Sequence, residues 1–199
     1  TNRPDSVFYY DQPPGDKMSD YSFPVPERNI KGKLAAVVDL SGEEHLAYDA
    51  RGNLCCKVKR MPDSKNDVLV SYLSSTIYDA MDRISAITYP DGDIVRYTYD
   101  SQGLLSRITG GGKSNRQGNP YIVENMLYTP SRQMRSCSYG NGFITTRLYD
   151  RRTRLNSLKT ADKDAPEKPG LYYQYTMDGA ANITRIDDLR PKEVCPGGN

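Results

Sequence analysis

The residues able to do chemistry are few and poorly spaced for it. His45 is the only histidine, which removes most acid–base, triad and zinc schemes at once. Its position ahead of a strand predicts a surface or edge site. Four cysteines, Cys55, Cys56, Cys137 and Cys195, make neither a CxxC pair nor a dense disulfide frame. Adjacent Cys55 and Cys56 have the atoms for a soft-metal site or a strained disulfide. Small residues at matching positions elsewhere in the chain favour plain strand fill, and Cys137 reads as a small hydrophobe.

Other motifs weaken on inspection. Thr109-Gly110-Gly111-Gly112-Lys113-Ser114 ends like a phosphate-binding loop, but Arg107 stands where that loop needs its first glycine. Gly118 and Pro120 follow, so no helix N-terminus would face a phosphate, and an insertion loop is expected. Asp91 and Asp93 flank Gly92 without the longer ligand series of a calcium loop. A pair of acids for glycoside hydrolysis has few candidates once turn-forming aspartates are set aside. Arg151, Arg152, Arg154 and Lys159 form the densest basic run and read as a solvated strand face. Asn182-Ile183-Thr184 accepts a glycan only in a eukaryotic secretory setting. The expectation is a chain with no catalytic residue, no cofactor and no metal.

The elements that would carry these residues follow from composition. The chain has 199 residues, room for one domain or a piece of a larger one. Leu, Ile, Val and Phe together supply only 37 of them, a share that signals disorder when net charge is high. Here net charge is +2, from 27 basic and 25 acidic residues. Tyrosine fills the gap, with 16 copies against 3 phenylalanines and no tryptophan, and it suits a half-buried pleated surface. Disorder and a helical bundle are both disfavoured. The balanced charge offers no field for nucleic acid. The longest apolar run, Leu34-Ala35-Ala36-Val37-Val38, is far short of the ~20 residues of a membrane span. No charged-then-apolar leader is visible, and the missing initiator Met points to a fragment or processed product.

A repeat organises most of the chain. Tyr-Asp recurs at Tyr48-Asp49, Tyr78-Asp79, Tyr99-Asp100 and Tyr149-Asp150, with degenerate copies starting at Arg28, Tyr128 and Met177. Short and long units alternate, so the true period is a pair of units. The second position (Asn29, Asp49, Asp79, Asp100, Thr129, Asp150, Asp178) always holds a side chain able to fold back on nearby backbone N–H groups. The fifth is glycine at Gly32, Gly52 and Gly103, and Asp82, Arg132, Thr153 or Ala181 elsewhere, so glycine is preferred there without being compulsory. The seventh is always apolar (Leu34, Leu54, Ile84, Leu105, Met134, Leu155, Ile183) and is expected to be the main buried anchor. The seventh and tenth positions differ in parity, which requires a bulge or apolar contact on both faces. Ile84 to Thr109 reads as strand, turn, strand, turn, strand, and Asn141-Gly142 is a second hairpin signal. Extra residues at 60–72, 110–124 and 160–170 are expected as loops on the rim opposite the Asp turns.

Units such as YDAMDRISAITYPDG, YTYDSQGLLSRIT and NGFITTRLYDRRTRLNSL resemble the YD repeats of Rhs proteins, teneurins and the Tc toxin B and C components. The resemblance runs from about Arg28 to Asp188. It implies an all-β fold of consecutive antiparallel hairpins, joined into a curved, spiralling sheet that is part of a hollow shell. In toxin members that shell encloses a toxic polypeptide, and in teneurins it belongs to an extracellular adhesion protein. The Asp-rich plug that ends a toxin shell and the toxin domain after it have no counterpart here. The organisation expected is a non-repeat segment over residues 1–27, a repeat sheet over 28–188 and a tail over 189–199. Tyr48, Asp49, Gly52, Leu54, Tyr78, Asp79, Ile84, Tyr99, Asp100, Gly103, Leu105, Tyr149, Asp150, Leu155, Asp178 and Ile183 are its turn and anchor positions.

Two functions fit this reading. The first is a structural segment of a shell that encapsulates or scaffolds a toxin or effector, secreted or at a cell surface within a larger protein. Its partners would be further repeat segments of the same or another chain and an enclosed toxin, with no nucleic acid and no membrane span. The second is a recognition module that binds a surface glycan or protein through the sheet and its loops. An enzyme ranks third, since the repeat uses up the acids and only one histidine is present.

Overall fold

The computed structural model describes residues 6–12, 29–63, 69–111 and 120–191. They form fourteen β-strands and no helix. In chain order these are β1 (Ser6–Tyr10), β2 (Leu34–Asp39), β3 (Gly42–Tyr48), β4 (Leu54–Pro62), β5 (Leu69–Tyr78), β6 (Ile84–Thr88), β7 (Ile94–Tyr99), β8 (Leu105–Gly111), β9 (Tyr121–Tyr128), β10 (Met134–Tyr139), β11 (Phe143–Tyr149), β12 (Leu155–Asp162), β13 (Leu171–Met177) and β14 (Ile183–Asp188). Each strand hydrogen-bonds to its neighbours in chain order, in a single sheet sequence from β1 to β14. The all-β hairpin fold expected from the repeat is thus the observed one. The chain divides into two compact units, Thr1–Arg96 and Tyr97–Asn199.

In the first unit, Ser6–Tyr10 pairs antiparallel with β2, although this stretch lies within the segment expected to precede the repeat. Ala36, His45 and Val58 are register partners across β2, β3 and β4 and are almost fully buried. His45 is 1% exposed, which overturns the surface or edge position expected for it. Both neighbours of β3 are long paired strands, so His45 sits mid-sheet, with its Nε2 3.1 Å from the carboxylate of Glu43. The guanidinium of Arg60 is 3.6 Å from that same carboxylate, so the buried acid faces two basic groups.

In the second unit the buried side chains are small: Val123, Cys137, Thr145, Ser157, Ala161 and Pro169. Thr145 and Thr160 are cross-strand partners with hydroxyls 2.8 Å apart. Thin residues of this kind leave much of the stability to strand pairing and turn chemistry.

The extra residues of the long units partly lengthen strands instead of forming loops. Pairing of β4 with β5 continues through Met61–Val70 to Pro62–Leu69, and β12 runs to Asp162. Within each unit these connections leave from the strand ends opposite the Asp turns, as an antiparallel meander requires. Gly112, Lys113 and Ser114 of the phosphate-loop-like stretch lie outside the described residues, as does Cys195.

Candidate functional site

The geometry that repeats is a turn. At Asp49 the backbone N–H donates to the carbonyl of Asn53 at 2.9 Å, and Gly52 N–H donates back to the carbonyl of Asp49 at 3.0 Å. The Asp49 carboxylate accepts the N–H groups of Arg51 and Asn53 through Oδ1. The same pattern holds at Asp79, Asp100, Asp150 and Asp178. Thr129 closes its turn with the same backbone bonds and accepts the Gln133 N–H through its hydroxyl. This is a type I turn followed by a left-handed residue, a combination that suits a hairpin.

The fifth position is left-handed in all seven copies. Its φ is +74° at Gly32, +96° at Gly52, +58° at Asp82, +79° at Gly103, +64° at Arg132, +61° at Thr153 and +71° at Ala181. Four side chains therefore sit where glycine is the default, and Thr153, being β-branched, is the least suited. The turn holds them there through the bonds to its aspartate or threonine.

A bulge follows six of these turns. Tyr48 pairs with Leu54 while Ala47 pairs with Cys56, which leaves Cys55 extra. The identical slip occurs where β1, β5, β9, β11 and β13 meet β2, β6, β10, β12 and β14. A bulge thus resolves the parity conflict between the seventh and tenth positions. In four copies the buried residue stands at the ninth position (Ala36, Cys56, Ala86 and Ser157), whereas in the copy starting at Tyr128 it is the tenth, Cys137. The seventh is shallower, with Leu54 36% and Ile183 53% exposed, so it is not the main buried anchor in these units.

What the seventh position offers is its carbonyl. Tyr48 donates its hydroxyl to the Leu34 carbonyl at 2.9 Å, and Tyr78 to that of Leu54 at 2.9 Å. Tyr128 does the same to Leu105 at 2.7 Å, and Tyr149 to Met134 at 2.8 Å. These four first-position tyrosines thereby fasten their own repeats to the ones before. Burial pushes the phenols of Tyr48, Tyr78 and Tyr128 above the ordinary tyrosine range. The Lys33 ammonium also lies 4.6 Å from the centre of the Tyr48 ring. Phenylalanine would fill the same space and leave a carbonyl unpaired, which explains the preference for tyrosine.

Basic and amide side chains link consecutive turns. Arg51 reaches the Asp79 carbonyl at 2.7 Å, and Asn53 the Asp82 carboxylate at 2.7 Å. Gln133 reaches the Thr153 carbonyl at 2.6 Å, while Arg152 and Arg154 reach Gly179 and Asp178. Arg154 also pairs with Asp150, and Arg83 with Asp79, each through two nitrogens. The basic run expected as a solvated face is therefore partly a set of turn latches.

Sequence reasoning missed one turn. The Asp11 N–H donates to the Lys33 carbonyl at 3.1 Å, and Gly32 N–H donates to the Asp11 carboxylate. Tyr10 pairs with Leu34. Tyr10-Asp11 therefore plays the part assigned to the copy starting at Arg28, with its glycine, Gly32, 21 residues on from Asp11. Asn29 instead donates its side-chain amide to the Tyr48 carbonyl at 3.0 Å.

The RHS Repeat family model matches residues 77–114. Those residues, which run from the end of β5 through β8, are thus similar to an RHS repeat. The YD-repeat fold agrees with solved Tc toxin structures. A crystal structure of TcdB2-TccC3 matches with a TM-score of 0.71 at 20% identity, over 82% of this chain and 8% of that one. The Photorhabdus luminescens Tc holotoxin pore gives a TM-score of 0.71 at 20% identity over the same shares. TcdB2-TccC3 without its hypervariable C-terminal region gives 0.70 at 20% identity, over 81% and 8%. This chain thus spans under a tenth of the solved chains it matches. Comparison with curated proteins gives no match.

Among the described residues, no group of three His, Cys, Asp or Glu side chains is placed to hold a metal ion. Cys55, Cys56 and Cys137 are buried free thiols. The described residues contain no helix long and apolar enough to cross a membrane.

Proposed function

We propose that this YD-repeat chain is a segment of a shell wall that encloses or scaffolds a toxin or effector polypeptide within a larger secreted protein. Its task in this reading is containment, with no turnover of its own. The observation that carries it is the seam between repeats: tyrosine hydroxyls and turn latches bind each unit to its neighbours through backbone acceptors. Such links serve continuity of a wall and leave the turn aspartates occupied. The likeness to TcdB2-TccC3 in fold supports the reading. Residues 28–188 would be the wall proper, with further YD-repeat segments as its partners.

The test is protection. The natural full-length protein is digested with a protease, with and without acid or denaturant that opens the wall. The reading expects a polypeptide distinct from the repeats to survive in the native protein and to be cut once the repeats open. Equal cleavage in both states would overturn it.

A further inference from the structure

The first-position tyrosine is missing from the last repeat. Tyr10, Tyr48, Tyr78, Tyr99, Tyr128 and Tyr149 occupy the first position of their repeats, but Met177 occupies the last. By the rule of the preceding repeats, residue 177 should donate a hydroxyl to the Leu155 carbonyl. A thioether has no proton to give. Among the described residues no tyrosine hydroxyl reaches that carbonyl.

Pairing of β12 with β13 is recorded from Thr160–Leu171 to Ser157–Gln174 and stops short of the Asp turn. Beyond that point lies a half-open cleft of about 250 Å³, lined by Leu155, Asn156, Gln174, Tyr175, Thr176 and Met177. Asp150 and Arg154, already paired with each other, complete its wall. Cavities of about 150 Å³ are known to accept a benzene ring, so the volume suffices for a phenol. The lining is largely polar, which argues against a purely hydrocarbon guest. Sulfur beside a ring is a favourable contact, and Met177 supplies it.

We propose that this cleft is a binding site for a phenolic ring, whose hydroxyl donates to the Leu155 carbonyl and whose face rests on Met177. The guest would rebuild from outside the bond that Tyr78 makes to Leu54 and Tyr149 makes to Met134. The same chemistry is available from a free phenol or from a tyrosyl side chain of another polypeptide. The site makes no use of the containment role and stands or falls without it.

The experiment uses the full chain labelled with ¹³C at methionine methyl groups. It is titrated with p-cresol, with toluene as the isostere lacking the hydroxyl, and with N-acetyltyrosinamide. The Met177 resonance should shift with p-cresol, at an affinity about tenfold tighter than for toluene, the worth of one hydrogen bond. Met177→Tyr should fill the cleft with its own phenol, abolish p-cresol binding and raise the melting temperature. Met177→Phe should block the ring site without that gain. N-acetyltyrosinamide matching p-cresol assigns the site to a polypeptide tyrosine; binding of p-cresol alone assigns it to a free phenol. Absence of p-cresol binding, equal binding of toluene, or undiminished binding to a folded Met177→Tyr variant overturns the proposal. If Met177→Tyr does not fold, the comparison of p-cresol with toluene on the unaltered chain decides alone.

Discussion

The hydroxyl of Tyr78 donates to the carbonyl of Leu54, 24 residues earlier in the chain, at 2.9 Å. Leu54 opens β4 and Tyr78 closes β5, and the recorded pairing of those strands stops at Cys56–Ser75. The tyrosine therefore spans the stretch where the ladder has ended. Removing only its hydroxyl leaves the ring in place and the carbonyl unsatisfied, so Tyr78→Phe should cost about 0.5–1.5 kcal/mol. Tyr72, on the same strand and 42% exposed, is the control: Tyr72→Phe should stay within about 0.5 kcal/mol. Urea midpoints of the two variants measure the difference, and equal midpoints would show that the seam carries no stability.

Thr153 holds a φ of +61°, a conformation that penalises β-branched residues most. The copies at Gly52 and Gly103 show what the turn prefers. Relief of left-handed strain outweighs the extra freedom that glycine has when unfolded, so Thr153→Gly should stabilise by about 0.5–1 kcal/mol. The reverse change, Gly103→Thr, should destabilise by about 1–2 kcal/mol. Thermal melts of both variants check the sign at each position.

The turns were legible in the sequence because their chemistry is local. Asp49 bonds to N–H groups two and four residues ahead, so spacing alone reveals it. The left-handed fifth position was only half legible: Gly52 announces it, whereas Arg132 and Thr153 adopt it because the flanking bonds impose it. The seam was not legible, since Tyr78 and Leu54, 24 residues apart, meet only once the β4–β5 hairpin has formed. Tyr10-Asp11 escaped notice because its glycine, Gly32, stands beyond residues 12–30 and not three places on. His45 was misplaced because its burial is decided by β2 and β4 on either side of β3, which no single-strand pattern encodes. Depth in the ninth column depends on the bulge, and parity showed only that some such irregularity was required.

Buried thiols should be inert. Cys55, Cys56 and Cys137 are free and shielded, and burial pushes the Cys56 thiol up to about 11. The nucleophile is the thiolate, so little of it exists near neutral pH. In a Cys195→Ser background, a disulfide reagent at neutral pH should label none of the three before unfolding and all of them in urea. Rapid labelling of Cys56 in the native chain would contradict its burial.

Acid should open the turns, and the sign follows from the carboxylates. The Arg83 side chain, above all, holds the Asp79 carboxyl below its ordinary value. The Arg154 backbone N–H does so for Asp150, and the Asn182 side chain for Asp178. A carboxylate depressed in the folded state contributes stability that is present above its unfolded value of about 3.9 and lost as pH falls through the folded value. Stability should therefore hold from neutral pH down to about pH 5 and decline below about pH 4. Thr129 is the internal contrast, because its hydroxyl caps a turn without titrating. Asp79→Asn should make the acid decline shallower, and Thr129→Asp should make it steeper. Urea midpoints across this pH range measure both slopes. Unchanged slopes in both variants would place the acid sensitivity outside the turns.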